Sequence, residues 1–264
     1  PAPVEVRDEY DVVHRLWPVF DAGVIDGVRK AMAGQKLVIA DGHHRYETAV
    51  AYRDQRRAAA AQSDRNAPYE KVMMTFFNTR SEGLLILPTH RVIAGVAGFA
   101  AGAFQGKMAG TFDQEVFSFA GRAERTPAFE AFRRELAARG SSGPVIGMYA
   151  GDSFVLFSLK SAADLAALLP DVPVALRRLD VVLLHRLLLE WGLGITPAAV
   201  AAGQHLTYER DAALGLAAVD EGKAQACFLL NPIGVETTAE IALSGQVLPQ
   251  KSTDFFPKLL SGIT

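Results

Sequence analysis

The chain has 264 residues, half of them hydrophobic and 21% charged, with a net charge of −2. That length suits one large domain or two closely packed lobes, and the apolar fraction supplies a sizeable core. The near-neutral balance argues against a nucleic-acid partner, which calls for a basic excess; the single cysteine, Cys227, excludes a disulfide framework and fits a reducing, cytoplasmic setting.

In chain order, "EYDVVHRLW" (9–17) suggests a strand, and "DAGVIDGVRKAMAG" a short amphipathic helix ending at Gly34. "KLVIA" (36–40) is a continuous apolar run with β-branched residues in its middle, the pattern of a buried strand. The spacing of Tyr46, Ala49, Val50 and Arg53 predicts a helix from Tyr46 onward. "SDRNAP" reads as a loop, and "YEKVMMTFFNT" and "LLILP" as two strands turning at "RSEG". Residues 94–111 predict a loosely packed helix, and "PAFEAFRRELAARG" a helix with a Gly stop. "GPVIGMYAGDSFVLFSL" reads as a hairpin turning at Gly151-Asp152. Ser161 is a candidate N-cap for "SAADLAALLP".

"RLDVVLLHRLLLEWG" has a broad apolar helical face. Asp180, His185, Arg186 and Glu190 interrupt it, so no membrane span is expected. "ACFLLNP" reads as a buried strand carrying a structural Cys227, "VETTAEIALSG" as a helix, and the tail as loop. The mixture implies an α/β or α+β fold with a mixed sheet flanked by helices. A change near 120–143 marks a possible boundary between lobes. The start at "PAPVEVRDEY", without an initiator Met, reads as a sequence whose N-terminal part is missing. No pattern reports on the oligomeric state.

The chemistry concentrates at Asp41-Gly42-His43-His44-Arg45, between the apolar run and the helix. First-turn amides of a helix lack intrahelical partners and lie at the positive end of its dipole, so such a turn receives phosphate or carboxylate. Gly42 permits a sharp turn and close approach of a ligand. His43, His44 and Arg45 add donors, Arg45 in bidentate fashion. Asp41 could cap the helix, accept a proton or hold Mg²⁺. The plainer alternative makes Asp41 an N-cap and leaves the histidines solvated. A zinc site using His43 and Glu47 lacks the third protein ligand zinc usually requires.

Four of the six histidines precede an arginine: His14-Arg15, His44-Arg45, His90-Arg91 and His185-Arg186. His185-Arg186 sits on the leucine-rich helix, where packing or surface exposure is the simpler reading. His14-Arg15 fits a strand alternating between two faces. Thr89-His90-Arg91 ends an apolar strand, and Lys251, Ser252, Thr253 and Lys258 lie in a loop; ligand sites form at such places. Together these point to a localised site for a small phosphorylated ligand or nucleotide. No Walker, protein-kinase or dinucleotide fingerprint occurs, and no Gly-x-Ser-x-Gly elbow.

"IADGHHRYETAVAYRD", "LPTHR", "LLNP" and "PQKSTDFFPKLLSG" together resemble the microbial family called domain of unknown function 1015, over nearly the whole chain. Family members are longer, with a substantial segment ahead of this stretch. Asp254 replaces the aromatic usual in the last motif. The DGHHR turn is also similar to the Asp-Gly-His turn of free-serine kinases with a ParB/sulfiredoxin-like fold. That resemblance implies a strand–DGHHR–helix core and phosphoryl transfer from ATP or ADP, with Mg²⁺, to free serine or a similar hydroxyl compound. Asp41, His43, His44 and Arg45 would be catalytic. Gly42, Thr89, His90, Arg91, Lys251, Ser252 and Thr253 would bind phosphate or substrate. A non-catalytic nucleotide-binding regulatory module is the alternative.

Overall fold

The apolar runs "PVIGMYA" and "SFVLFSL" fold into two neighbouring strands whose side chains are buried on alternating faces. The computed structural model describes residues 3–8, 11–60, 62, 64–249, 251–256 and 258. Glu9, Tyr10, Ser63, Gln250, Pro257 and the end of the last motif from Leu259 lie outside these described residues. The chain divides into two units: Pro1–Leu85 with Phe255–Thr264, and Ile86–Asp254. The suspected boundary at 120–143 falls inside the second unit, where a helix occupies it.

In the first unit, β1 (Val4–Arg7) and β2 (Val13–Leu16) form an antiparallel hairpin; β1 was not anticipated. Helix α1 (Ala22–Met32) follows, capped by Asp21, whose carboxylate accepts from Val24 N–H at 2.9 Å. Helix α2 (His43–Ala59) begins three residues earlier than the apolar spacing predicts, because His43, His44 and Arg45 are its first turn. Neither "KLVIA" nor "VMMTFF" is a strand. Both lack a neighbouring ladder among the described residues, and apolar composition alone does not make a strand without one. The ParB/sulfiredoxin-like strand expected ahead of DGHHR is therefore a segment without strand pairing among the described residues.

β3 (Leu85–Leu87) pairs not with "VMMTFF" but with β10 (Asp254–Phe256), in a tail expected to be loop. The second unit then runs β4 (His90–Ile93), α3 (Ala101–Met108), β5 (Phe112–Ser118), α4 (Arg122–Gly140), β6 (Val145–Tyr149) and β7 (Ser153–Leu159). It continues with α5 (Leu165–Leu168), α6 (Asp180–Leu183), α7 (Pro197–Ala201), β8 (Leu206–Glu209), α8 (Ala212–Asp220), β9 (Ala226–Leu229) and α9 (Val235–Leu243). Asp164, not Ser161, caps α5; its carboxylate accepts from the amides of Ala166 and Ala167.

The six strands are ordered β5-β7-β6-β9-β4-β8, and every ladder is antiparallel. The fold thus mixes strands and helices as expected, but no parallel pair occurs in this sheet. The helical crossovers explain this. β5–α4–β6 has β7 inserted between its strands, and β8–α8–β9 has β4 inserted. Each inserted strand runs opposite to both neighbours.

Helices cover both faces. Phe132 and Leu136 of α4 and Leu216 and Val219 of α8 pack with Val145, Phe154, Leu156 and Cys227. On the opposite face Phe104, Met108, Leu183, Leu184 and Ile241 pack with Ile146, Met148, Phe157 and Phe228. Burial on both sides is why these strands read as unbroken apolar runs rather than alternating ones. Gly147 marks the closest approach of α4: a Cβ there would sit 2.3 Å from Phe132 Cζ.

Candidate functional site

In the first unit, Gly42 adopts the left-handed conformation, φ 89°, that turns the chain into α2. The first helical hydrogen bond runs from Tyr46 N–H to the Gly42 carbonyl, 2.9 Å. No side chain caps the amides before it, so Asp41 is not the N-cap. Asp41 instead lies 3.7 Å from Arg45 Nη2 and 3.5 Å from Lys258 Nζ. His44 is 92% exposed at its side chain and lies 3.5 Å from Glu47; His43 is exposed too. The turn is an open helix terminus with two cations around one carboxylate. Exposed pairs of this kind contribute well under ~1 kcal/mol each, so they rearrange easily around a ligand. Among the described residues, no three His, Cys, Asp or Glu side chains cluster to hold a metal, and Glu47 pairs with His44 rather than His43.

The other three His-Arg pairs separate. His14 lies 2.8 Å from Asp8, and Arg15 donates to Glu5 across the β1–β2 hairpin, so both are tied within that hairpin. On β4, alternation sends Arg91 to the face of Ile93 and His90 to the opposite face, with Val92. Leu230 N–H donates to His90 Nδ1 at 3.3 Å, and burial, with Arg91 beside it, lowers the His90 pKa to about 4. His90 is thus held neutral and buried, with its Nδ1 occupied by the Leu230 amide.

Arg91 is 1% exposed. Its Nη1 donates to the Thr89 carbonyl, its Nη2 to the Lys251 carbonyl at 3.0 Å and its Nε to His185 Nε2 at 3.3 Å. Its guanidinium also lies 5.1 Å from the centre of the Tyr208 ring. Burial lowers its pKa to about 10, which leaves it cationic at neutral pH. It forms no ion pair with any carboxylate among the described residues. His185 lies in the π-helical stretch Leu184–Gly192 that follows α6, a distortion common at functional sites. Burial, with Arg91 adjacent, holds the His185 pKa near 4, so the ring accepts as a neutral base. The His185-Arg186 pair therefore splits: His185 meets Arg91, while Arg186 binds Asp171 and Glu190 at the surface.

Arg91 lines a cleft of about 390 Å³ lying wholly within the second unit. Three of the four recognised motifs meet there: Pro88 and Thr89 of LPTHR, Leu230, Asn231 and Pro232 of LLNP, and Ser252 of the KST loop. Lys251 takes φ 58° and turns its carbonyl, not its ammonium, to Arg91. Thr253 is half-buried beside this loop and does not line the cleft. Asp254 pairs with Arg210 at 2.6 Å, which accounts for a carboxylate where an aromatic was expected.

Asp180, which sequence reasoning registered only as a break in an apolar helix, lines the same cleft. Its Oδ1 accepts Val145 N–H at 3.2 Å, and burial raises its pKa to about 7. Arg178, Ser141 and Ser142 are further lining residues the sequence did not single out. Their only linear signal is polarity beside Gly and Pro, which every surface loop shares.

The family model described as protein of unknown function DUF1015 matches residues 2–182. The chain belongs to this family. The match takes in the DGHHR turn, LPTHR and Asp180; the LLNP segment and the KST loop lie beyond it, so it is shorter than the near-complete resemblance expected. No curated protein matches the chain. Among solved structures, a conserved hypothetical protein from Pyrococcus furiosus is 12% identical, with 68% of this chain and 59% of that one covered and a TM-score of 0.35. A free serine kinase in complex with AMP is 12% identical, with 90% and 81% covered and a TM-score of 0.42. A point mutant of free serine kinase, also with AMP, is 11% identical at the same coverage and TM-score. This chain thus spans under two thirds of the Pyrococcus protein.

Proposed function

We propose that the protein is a nucleotide-dependent phosphotransferase acting on a small hydroxyl metabolite, with free serine the first acceptor to test. The observation that carries this reading is the start of α2: left-handed Gly42, uncapped first-turn amides, and Arg45 and Lys258 around Asp41. Uncapped amides and two cations are what nucleotide phosphates require. His43 and His44, exposed on the same turn, add donors to phosphate oxygens. Asp41 would hold Mg²⁺ or accept the acceptor's proton. A lone carboxylate suits Mg²⁺ when phosphates and water complete its shell. The ion would then neutralise charge on the phosphates. Incubation of the protein with ATP or ADP, Mg²⁺ and serine should yield phosphoserine. Arg45→Ala should weaken nucleotide binding about tenfold, the loss of one bidentate phosphate contact, with the fold unchanged by circular dichroism.

One observation favours the non-catalytic alternative. Asp41 is engaged by two cations, and among the described residues no second carboxylate joins it. Nucleotide binding without phosphoserine would select that module. Absence of both binding and product would reject the two together.

A further inference from the structure

The fully buried Arg91 has no carboxylate to balance it among the described residues. Its partners are two carbonyls, a neutral imidazole and the Tyr208 ring, which satisfy hydrogen bonds and attract the cation but supply no counter-charge. A buried cation left this way is unfavourable unless an anion reaches it. A guanidinium has five N–H donors. Three are engaged here, leaving one on each terminal nitrogen. That number matches the two oxygens of a carboxylate.

The cleft in front of Arg91 is open and lined by both kinds of surface. Thr89, Asn231, Thr237 and Ser252 are polar, and Pro88 and Ile233 are apolar. Such a lining suits a small organic molecule with hydrogen-bonding groups better than a bare inorganic ion. The charge is bounded as well. Asp180 shares the cleft and, among the described residues, pairs with no cation; its hydrogen bond is to the Val145 amide. Arg91 can neutralise one negative charge of a ligand, whereas a second charge would meet the half-buried carboxylate of Asp180 with no further buried cation in the lining to offset it. Arg178, the other lining cation, is exposed and its charge is screened by solvent.

We propose that the cleft of the second unit binds a small monoanionic carboxylate carrying hydroxyl or amino groups, with Arg91 as its anchor and Asp180 as the acid that turns dianions away. This site stands on the second unit alone and goes beyond the nucleotide reading of the α2 turn.

Calorimetric titration of the full chain at about pH 8, where inorganic phosphate is mainly a dianion and Asp180 is mainly ionised, with glycolate and, separately, inorganic phosphate tests it. Glycolate should bind, and phosphate should bind at least tenfold more weakly. Arg91→Met should weaken glycolate at least tenfold. Ser142→Trp should do the same by filling the cleft from its exposed rim, where the substitution leaves the core untouched. Asp180→Asn should narrow the gap between the two anions. The proposal is overturned by glycolate failing to bind at tens of millimolar, by unchanged affinity in either blocking variant, or by phosphate matching glycolate in the unaltered protein. Titration with ATP reads the nucleotide proposal separately: glycolate binding without ATP binding removes only that reading, and the reverse removes only this one.

Discussion

The two units draw on similar apolar sequence and use it differently. In the second, strands buried on both faces gather a dense core around Phe132, Phe154, Phe157 and Phe228. In the first, Ala67 is the only buried hydrophobic residue among those described, while Leu37, Ile39, Phe76 and Phe77 are exposed. The difference lies in pairing. Runs of equal hydrophobicity became strands only where a neighbouring strand satisfied their amides and a helix covered their side chains. The two candidate sites follow suit. The α2 turn offers exposed charges that solvent screens, whereas the cleft is lined by Arg91 and Asp180, with His185 behind Arg91, where burial shifts their proton affinities.

The largest expected contrast comes from truncating one aromatic in each unit. Phe132 is fully buried, 5.1 Å from Phe154 between ring centres, and Phe76 is 54% exposed. Urea unfolding should show Phe132→Ala destabilising by about 3–5 kcal/mol and Phe76→Ala by no more than about 0.5 kcal/mol. Similar losses from both would erase the distinction between the units.

Asp180→Asn should sharpen it through pH. The folded pKa of Asp180 is raised from 3.8 to about 7, so its contribution to stability is full below about pH 4 and is lost as pH rises through 7. His90 and His185 are depressed from 6.5 to about 4; their contributions are full above pH 6.5 and lost on acidification through 4. The two slopes oppose each other in the same window. Removing the carboxylate should stabilise the protein by about 3 kcal/mol at pH 8, leave it nearly unchanged at pH 4, and steepen the loss of stability from pH 7 to 4. A pH series of urea melts that superimposes on the parent would refute this account of the cleft.

Gly147→Ala places a methyl group against Phe132 in the tightest contact between sheet and α4, and should lower stability by about 1–3 kcal/mol in the same assay. Gly42→Ala is the smallest effect. A Cβ at φ 89° is strained, yet its nearest neighbour is the movable end of Arg45, so about 1 kcal/mol is expected, confined to α2. Hydrogen exchange at α2 should quicken while the sheet of the second unit is undisturbed.

Much of the second unit was legible. The β6–β7 hairpin, β9, α4 and α9 follow from hydrophobic run length, from the turn at Gly151 with φ 95° and from Gly stops. "KLVIA" and "VMMTFF" were misread because composition reports burial potential and not the presence of a partner strand. Arg91 and the KST loop, both singled out in the sequence, do meet, with the loop contributing a carbonyl and a hydroxyl rather than its lysine. His90 was grouped with its neighbour although strand alternation alone would have placed them on opposite faces. Asp180 was invisible as a site residue, since its chemistry comes from burial against β6, residues distant in the chain.

By itself the sequence determined the element types in the well-patterned regions, the polar turn ahead of α2 and the membership of a family, because periodicity, turn residues and motifs are local properties. The tertiary structure alone decided that every ladder of the sheet is antiparallel, that LPTHR, LLNP and the KST loop share one cleft, and that an arginine is buried there without an acid. Those outcomes depend on which distant segments come into contact, and contact, through desolvation and hydrogen bonding, is what turns an ordinary arginine, aspartate or histidine into a chemical group of altered charge affinity.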